Sequence, residues 1–566
     1  MRLTVTVRDG VTGASADVVF ETSPDTTVGE LVAQAAPLVG VRADGPGAAA
    51  LGTAVTVDGA RVAESVRIGQ GTVLEGSVLT IGGPPGVAAL PPDLPSIRIV
   101  GGPGAGTVFH VDPGTVVVGS APQATVRLAA RGVAPVAALV QLDGASRFSI
   151  TPVACDDADV PPVTVDGVPL TTTVALTPSS VVELGEVLLG VADAGTASAA
   201  IGLAEGGGRL EHARPPRLLP EPPTTAFRYP AQPQAPPRRP LPIVAAAAPL
   251  VMGGVMVLVL DNPTFLVFGL LSPVILVGNY LYDRRNGRVT HRDALASHAA
   301  TRQAVAADAA EAVVRRQDEL RSSCPDAATL LDLAVRRRAR LWERRRDDPD
   351  HLTVRIGVAD LPSGVTLDDP DLLEHRRTVA SPARAVPVTV ALADRGVVGL
   401  HGRTPERRAL AAWMVAQLCV LQSPRDLAVV VLTDRDAEEH WGWLAWVPHA
   451  RPDEGDADSR VRLGNDSESV ARRLTELAAV VDARQRARRE SSGAVLDAPD
   501  VLVVVDGSRR LRALPGLVTV LRDGPAVGVV ALCLDSDRRS LPEECVTVVQ
   551  AGRSAHELSA HREADV

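Results

Sequence analysis

Gly402 closes an apolar run, Val397–Gly402, and is followed by Arg403, Thr404, Pro405, Glu406, Arg407, Arg408 and Ala409 as a helical stretch begins. A strand, a glycine and a helix in that order can form a loop whose backbone N–H groups surround phosphate oxygens. The pattern that does so is GxxxxGK[ST]: glycines permit the tight turn, the lysine reaches the outer phosphates and the hydroxyl holds magnesium. Aligned on Gly402, Arg407 stands at the second glycine, Arg408 at the lysine and Ala409 at the hydroxyl. Pro405 also removes a backbone donor. A second apolar run, VLVVVD, ends in Asp506, where a metal-facing carboxylate would sit, but Gly507 follows where a catalytic glutamate is expected. These losses predict a chain that is not an enzyme. It has no catalytic residues and no cofactor, and its degenerate nucleotide site consists of Gly402, Arg407, Arg408, Ala409 and Asp506. Weak nucleotide contact through Arg403 or Arg408 stays open. His401 and Ser508, at the same strand ends, read as loop residues rather than as a base and a nucleophile.

The elements that must position these residues alternate. Strand-like runs VVGLHG, DLAVVVLTD, DVLVVVDGS and VGVVALCLD are separated by helical runs RRALAAWMVAQLCVLQ and SVARRLTELAAVVDARQRARR. Strands this continuous in Val and Leu are covered on both faces, so residues 351–566 are expected to be an α/β domain with a parallel sheet. The whole chain has 566 residues, enough for three or four compact units. Its net charge of -10 argues against a general nucleic-acid binder, and no specific nucleic acid is expected among its partners. All 57 cationic residues are arginine, so no reaction needing a lysine amine is open to this chain alone. Cys155, Cys324, Cys419, Cys533 and Cys545 show no CxxC spacing, and no metal site is expected. Met1–Val7 reads as a strand rather than a signal peptide.

Residues 1–86 begin with a hairpin, RLTVTV and ADVVFETS, then a helix whose Thr27 and Glu30 suit a capping box, then further strands around an Asp-Gly turn. This order resembles a ubiquitin-like β-grasp domain; because VTVDG recurs at 55–59 and 163–167, a second sandwich domain like the next one stays possible. Residues 97–203 are short strands and turns, the pattern of a β-sandwich. The order resembles a forkhead-associated (FHA) domain, a phosphothreonine-binding fold. The resemblance puts its Gly-Arg, Ser-Arg-x-His and Asn-Gly positions at Gly119-Ser120, Ala134 to Ala137, and Asp166-Gly167. The arginine and serine that hold phosphate are missing and Asp166 would repel an anion. We therefore expect a degenerate phosphopeptide site at Gly119, Ser120, Ala134, Ala137, Asp166 and Gly167.

Residues 204–240 form a Pro-rich linker. Residues 241–283 hold two apolar runs, each about the ~20 residues that cross a hydrocarbon core. Asp261-Asn262-Pro263 lies between them, with Arg238 and Arg239 before and Arg284, Arg285 and Arg288 after. By the positive-inside rule this predicts a two-helix transmembrane hairpin in the cell (inner or plasma) membrane, two-pass, with both termini cytoplasmic. Residues 284–350 read as a helical stalk broken at Ser322-Ser323-Cys324-Pro325. The fold class expected is a multidomain α+β membrane protein: β-grasp-like domain, FHA-like β-sandwich, two-helix transmembrane hairpin, helical stalk and degenerate P-loop-like α/β domain.

With the apolar hairpin, two further segments carry a resemblance across the whole chain: LWERRRDDPDHLTVRIG (Leu341–Gly357) and LCVLQSPRDLAVVVLTDRDAEEHWGWLAWVPHARP (Leu418–Pro452). The chain resembles the N-terminal portion of EccC/EssC-type membrane ATPases of type VII secretion, in the FtsK/SpoIIIE superfamily. Read by themselves, Trp441, Trp443, Trp446, Pro448 and His449 are core or interface anchors. The resemblance implies a non-catalytic, membrane-anchored scaffold or coupling subunit of a type VII-like protein secretion complex. Its partners would be other membrane subunits, the lipid bilayer and motor ATPase domains in cis or in trans, and the chain would form a homo-oligomer. It would place the first motor domain where this sequence stops, so the chain is expected to be a fragment or a motorless paralogue. Two alternatives stand beside it: an FtsK/SpoIIIE-like ATP-driven translocase of DNA or protein, and a membrane-tethered FHA signalling adaptor.

Overall fold

A computed structural model describes residues 1–40, 55–82, 94–155, 157–193, 199–205, 207–219, 224–234, 243–260, 264–373, 376–451, 461–490, 498–552 and 559–562. The chain divides into two compact units. One comprises Met1–Leu219, Leu320–Ala359 and Ala385–Val566; the other comprises Pro220–Glu319 and Asp360–Arg384.

In the first unit, alternation of apolar residues along Arg2–Asp9 buries Leu3, Val5 and Val7 on one face of a five-stranded sheet. Arg2–Asp9 pairs antiparallel with Ser15–Glu21 and parallel with Val78–Ile81. Helix Val28–Ala35 lays Val28 and Leu31 on that face. It starts where expected: Thr27 Oγ1 accepts from the Glu30 N–H (3.3 Å), and the Glu30 carboxylate accepts from the Thr27 N–H (2.9 Å). A two-sheet sandwich follows. Its five-stranded sheet runs in the order Val174–Leu176, Phe148–Pro152, Ala138–Leu142, Gly114–Gly119, Val126–Arg127. Its six-stranded sheet runs Val168–Pro169, Thr164–Val165, Val182–Leu184, Val187–Ala192, Ser96–Gly101, Val108–His110. Val118, Ile150, Ile97 and Leu184 meet between them in a dry core.

The segment read as the start of a linker is pinned. Ala200–Leu203 and Leu210–Ala213 pair antiparallel. Beyond them Arg214 bonds Asp426 (2.6 Å), and Arg217 forks onto Asp350 (2.6 and 2.7 Å) while also reaching Asp348 (2.6 Å). Planar bidentate guanidinium–carboxylate pairs are the strong ones. Burial pushes the Asp350 carboxyl up, but the Arg217 hydrogen bond and the Arg344 and Arg217 charges outweigh it and hold it below the usual value of 3.8. Its contribution is therefore present above that value and lost as pH falls through the folded one. Arg217→Ala should cost about 2 kcal/mol, the worth of hydrogen bonds to charged groups, and limited proteolysis should cut residues 199–219 sooner than in the parent.

The last part of this unit is a seven-stranded sheet in the order Leu463–Gly464, Leu427–Leu432, Asp500–Asp506, Val529–Asp535, Val397–His401, Thr547–Gln550, Ser559–Arg562. All neighbours are parallel except the last pair. Alternate residues serve opposite faces. Val398, Leu400, Val429, Val431, Leu502 and Val504 meet helix Thr404–Leu421 through Ala411, Met414 and Leu418. Val430, Val503, Val505 and Ala531 meet helices Ser467–Glu490 and Leu517–Asp523. Both faces are covered, which explains the unbroken Val and Leu.

In the second unit, Ala309, Ala312 and Val313 of helix Thr264–Ser323 pack on Phe227, Val365 and Leu367. Strand Ala226–Arg228 runs parallel to Thr366–Asp368. The Arg302 guanidinium lies 4.0 Å from the Tyr229 ring centroid and bonds Asp369.

Among the described residues no helix is long and apolar enough to cross a membrane. The expected transmembrane hairpin and the two-pass cell-membrane placement are corrected by this finding. The first apolar run makes a helix, Ile243–Leu260, of 18 residues with Pro249 inside it. At ~1.5 Å per residue it is about 27 Å long, short of the ~30 Å core. The second run is no separate span. It opens a single helix of 60 residues, Thr264–Ser323, which continues through Arg284, Arg285 and Arg288. Asp261-Asn262-Pro263, Arg238 and Arg239 lie outside the described residues. Beyond the break at Ser322–Pro325 the stalk region, read as helical to residue 350, holds the helix Ala327–Val335, after which Arg337 turns to φ +50°.

Candidate functional site

The loop after Val397–His401 and the end of Asp500–Asp506 lie on the same, carboxyl-terminal edge of the sheet, with Val529–Asp535 between their strands. Ligands of open α/β sheets bind at that edge. Gly402 has φ +141°, and a Cβ there would lie 2.6 Å from the Ala551 carbonyl oxygen, so only glycine fits. Arg403 occupies the N-cap of helix Thr404–Leu421 without a side-chain cap, and Pro405 sits in its first turn.

Two arginines of the helix that follows the loop turn back onto it and onto the neighbouring strand end. Arg407 is buried, and its Nη1 donates to the Gly402 carbonyl (3.1 Å) and to Thr404 Oγ1 (2.9 Å). Arg408 Nε donates to Asp506 Oδ2 at 2.6 Å. Asp506 is only 1% exposed. The same oxygen accepts from Trp441 Nε1 (3.2 Å) and lies 3.4 Å from Thr433 Oγ1, which ends the neighbouring strand. Ala409 offers no hydroxyl. The loop and Asp506 are thus brought together as their order in the sequence suggested, and the arginine at the lysine position bonds the carboxylate directly. Trp441 and Thr433 were missed as part of this cluster; the only signal was the entirely apolar strand running into Thr433. Ser508 Oγ donates to Asp535 Oδ2 at 3.4 Å, and Asp535 also accepts from the Arg509 N–H (2.9 Å).

The tryptophans are anchors. Trp441 is fully buried, while Trp446 lies 3.8 Å from where a Cβ on Gly76 of the N-terminal sheet would be, beside an Arg451–Glu75 pair at 3.1 Å. His449 is buried, and its Nε2 donates to the Gln422 carbonyl (2.8 Å), leaving Nδ1 without a partner. Burial pulls its pKa down to about 4, against the opposing pull of that carbonyl.

At the loop end of the sandwich, a Cβ on Gly119 would meet the Pro135 carbonyl at 2.2 Å, and the Ser120 N–H bonds the Ala134 carbonyl (2.9 Å). Ala134 and Ala137 are buried and carry no polar side-chain atom. Asp166 (φ +51°) and Gly167 (φ +74°) form the two-residue turn between Thr164–Val165 and Val168–Pro169. Asp166 Oδ1 accepts from the Val181 N–H (3.1 Å) and from Arg321 Nη1 (3.0 Å). The Asp166 carboxylate at this end is thus paired with a guanidinium.

No family model matches the chain. It is 25% identical over 226 residues to the ESX secretion system protein EccC of Geobacillus thermodenitrificans, which covers 38% of this chain and 15% of that protein. It is 29% identical over 236 residues to the ESX-4 secretion system protein EccC4 of Mycobacterium tuberculosis, covering 37% of this chain and 18% of that protein. The chain is a homologue of the EccC secretion proteins. It spans under a fifth of the length of these two EccC relatives. Among solved structures, Thermomonospora curvata EccC (ATPases 2 and 3) in complex with a signal sequence peptide matches at 16% identity and a TM-score of 0.26, over 37% of each chain. The FhaA FHA domain complexed with the intracellular domain of Rv3910 matches at 19% identity and a TM-score of 0.15, over 17% of this chain and 99% of that one. Likeness to EccC proteins, whose solved regions are described as ATPases, runs against the expectation of a chain that is not an enzyme. That expectation is withdrawn.

Proposed function

We propose that this EccC homologue is a component of an ESX-type protein secretion complex, in which its ATPase-type α/β domain couples the N-terminal β domains to the rest of the machinery. The observation that carries the reading is the closed phosphate loop: Arg408 holds Asp506 at 2.6 Å at the ligand-binding edge of the sheet. Around it, the strap of Arg214 and Arg217 and the Arg451–Glu75 pair tie the N-terminal domains to that same domain. A domain fastened in this way passes force or position between partners through packed elements. The test is affinity purification of the tagged chain from its native cells. Stoichiometric recovery of secretion-system subunits is expected, with recovery reduced by Arg217→Ala. Purification without any such subunit refutes the proposal.

A further inference from the structure

The loop end of the sandwich reverses the charge logic of a phosphopeptide reader, and one hairpin carries the reversal. At its tip, Asp166 already holds a guanidinium, that of Arg321. Arg321 is fixed further by the carbonyls of Ser179 and Ala385. At the base of the same hairpin, Val163 and Leu170 line a cleft of about 480 Å³. The positions whose phosphate ligands are gone, Ala134 and Ala137, line it too, with Val160 and Pro161. Among the described residues no arginine and no carboxylate lines this cleft. Exposed charge flanks the lining residues in sequence: Asp157 and Asp159 on the loop that leads into Val160, against a single arginine, Arg131, beside Gly132.

An apolar cleft beside exposed carboxylates complements an apolar side chain flanked by a cation. An anion would meet these carboxylates and, among the described lining residues, find only the Thr171 hydroxyl and the Cys155 thiol as donor side chains. We propose that this end of the sandwich binds an unphosphorylated peptide segment in which apolar residues alternate with arginine or lysine. The apolar side chain fills the cleft between Ala137 and Leu170 and the cation pairs with the Asp157–Asp159 rim. Asp166 with Arg321 is the internal example of the same recognition. Extended peptides of this kind gain specificity from alternate side chains entering pockets, and the rim adds a salt-sensitive attraction over a Debye length of about 10 Å.

The experiment uses the full chain and a fluorescein-labelled peptide of alternating arginine and leucine, titrated by anisotropy. Parallel titrations use a serine-for-leucine version and a phosphothreonine version. Expected are saturable binding of the arginine–leucine peptide and an affinity at least about tenfold weaker for each of the other two, a difference of about 1.4 kcal/mol. Asp157→Asn with Asp159→Asn, both on an exposed loop, should weaken binding by a similar factor. Asp17→Asn with Glu21→Gln, exposed on the N-terminal sheet, should leave it unchanged and so separates recognition from general attraction to an acidic chain. Val163→Phe, which fills the cleft, should abolish the preference for leucine over serine. Tighter binding of the phosphothreonine peptide overturns the proposal, and so does binding indifferent to the rim and cleft variants.

Discussion

Arg408→Ala will destabilise the α/β domain by about 3–5 kcal/mol, the cost of stranding one partner of a buried ion pair. Asp506 is 1% exposed and its second oxygen, Oδ1, has no hydrogen-bond partner. Among the described residues, Trp441, the distant Thr433 hydroxyl and Arg408 compensate its charge. Removing the guanidinium leaves a carboxylate in the middle of the sheet edge with neutral donors alone. Urea unfolding followed by tryptophan fluorescence reads this directly, because all 5 tryptophans lie between Trp342 and Trp446. The companion variant Arg408→Ala with Asp506→Asn removes both charges and should recover at least half of the loss. An unfolding midpoint for Arg408→Ala within error of the parent would show that the pair contributes nothing and that the loop is not closed by it.

The second large effect is a pH dependence centred on His449. Its folded pKa lies at about 4, beneath the ordinary 6.5, because burial disfavours the imidazolium. Between those values the unfolded chain binds a proton that the folded chain does not, so stability falls as pH drops through the window. It is complete above 6.5, and roughly 3 kcal/mol is lost by the lower end, at ~1.4 kcal/mol per unit. The Trp342 ring, 6.4 Å away and edge-on, adds apolar surroundings that keep the ring neutral. His449→Gln should flatten the curve between pH 6.5 and 4 while leaving the acid limb due to Asp350 intact. An unaltered slope would place the titration elsewhere.

Much of the sheet was readable because its central strands are covered on both faces. Leu427–Leu432 and Asp500–Asp506 bury every residue, and selection for that leaves runs apolar throughout Leu427–Leu432 and from Val501 to Val505. The two-residue strand Leu463–Gly464 leaves no such trace. The long strands Thr353–Asp368 and Thr378–Ala391 were hidden for another reason. They contain Pro362, Gly364, Pro382 and Pro387, residues that argue against strands, yet the pairing forms with Gly364 at φ +79° and Ala385 at φ +48°. In the apolar segment, composition alone suggested two spans. It carried no information on where one helix would end and that the other would continue into a charged one. At the site, the positions of Gly402, Arg408 and Asp506 followed from strand ends. Their direct bond did not, because it joins residues 98 apart in sequence. The sandwich gave its loop positions through turn residues, but nothing local linked Asp166 to Arg321, a partner 155 residues further on.

The strand that carries Gly402 is the first of its sheet to be synthesised and yet sits between Val529–Asp535 and Thr547–Gln550, among the last. On the ribosome it must therefore wait, apolar on both faces and without either neighbour, until nearly the whole domain has emerged. Topologies dominated by such distant pairings fold slowly and expose sticky intermediates. Expression yield of this protein should thus depend on chaperone supply more steeply than that of its N-terminal domain, whose parallel central pair joins residues within the first 81 positions.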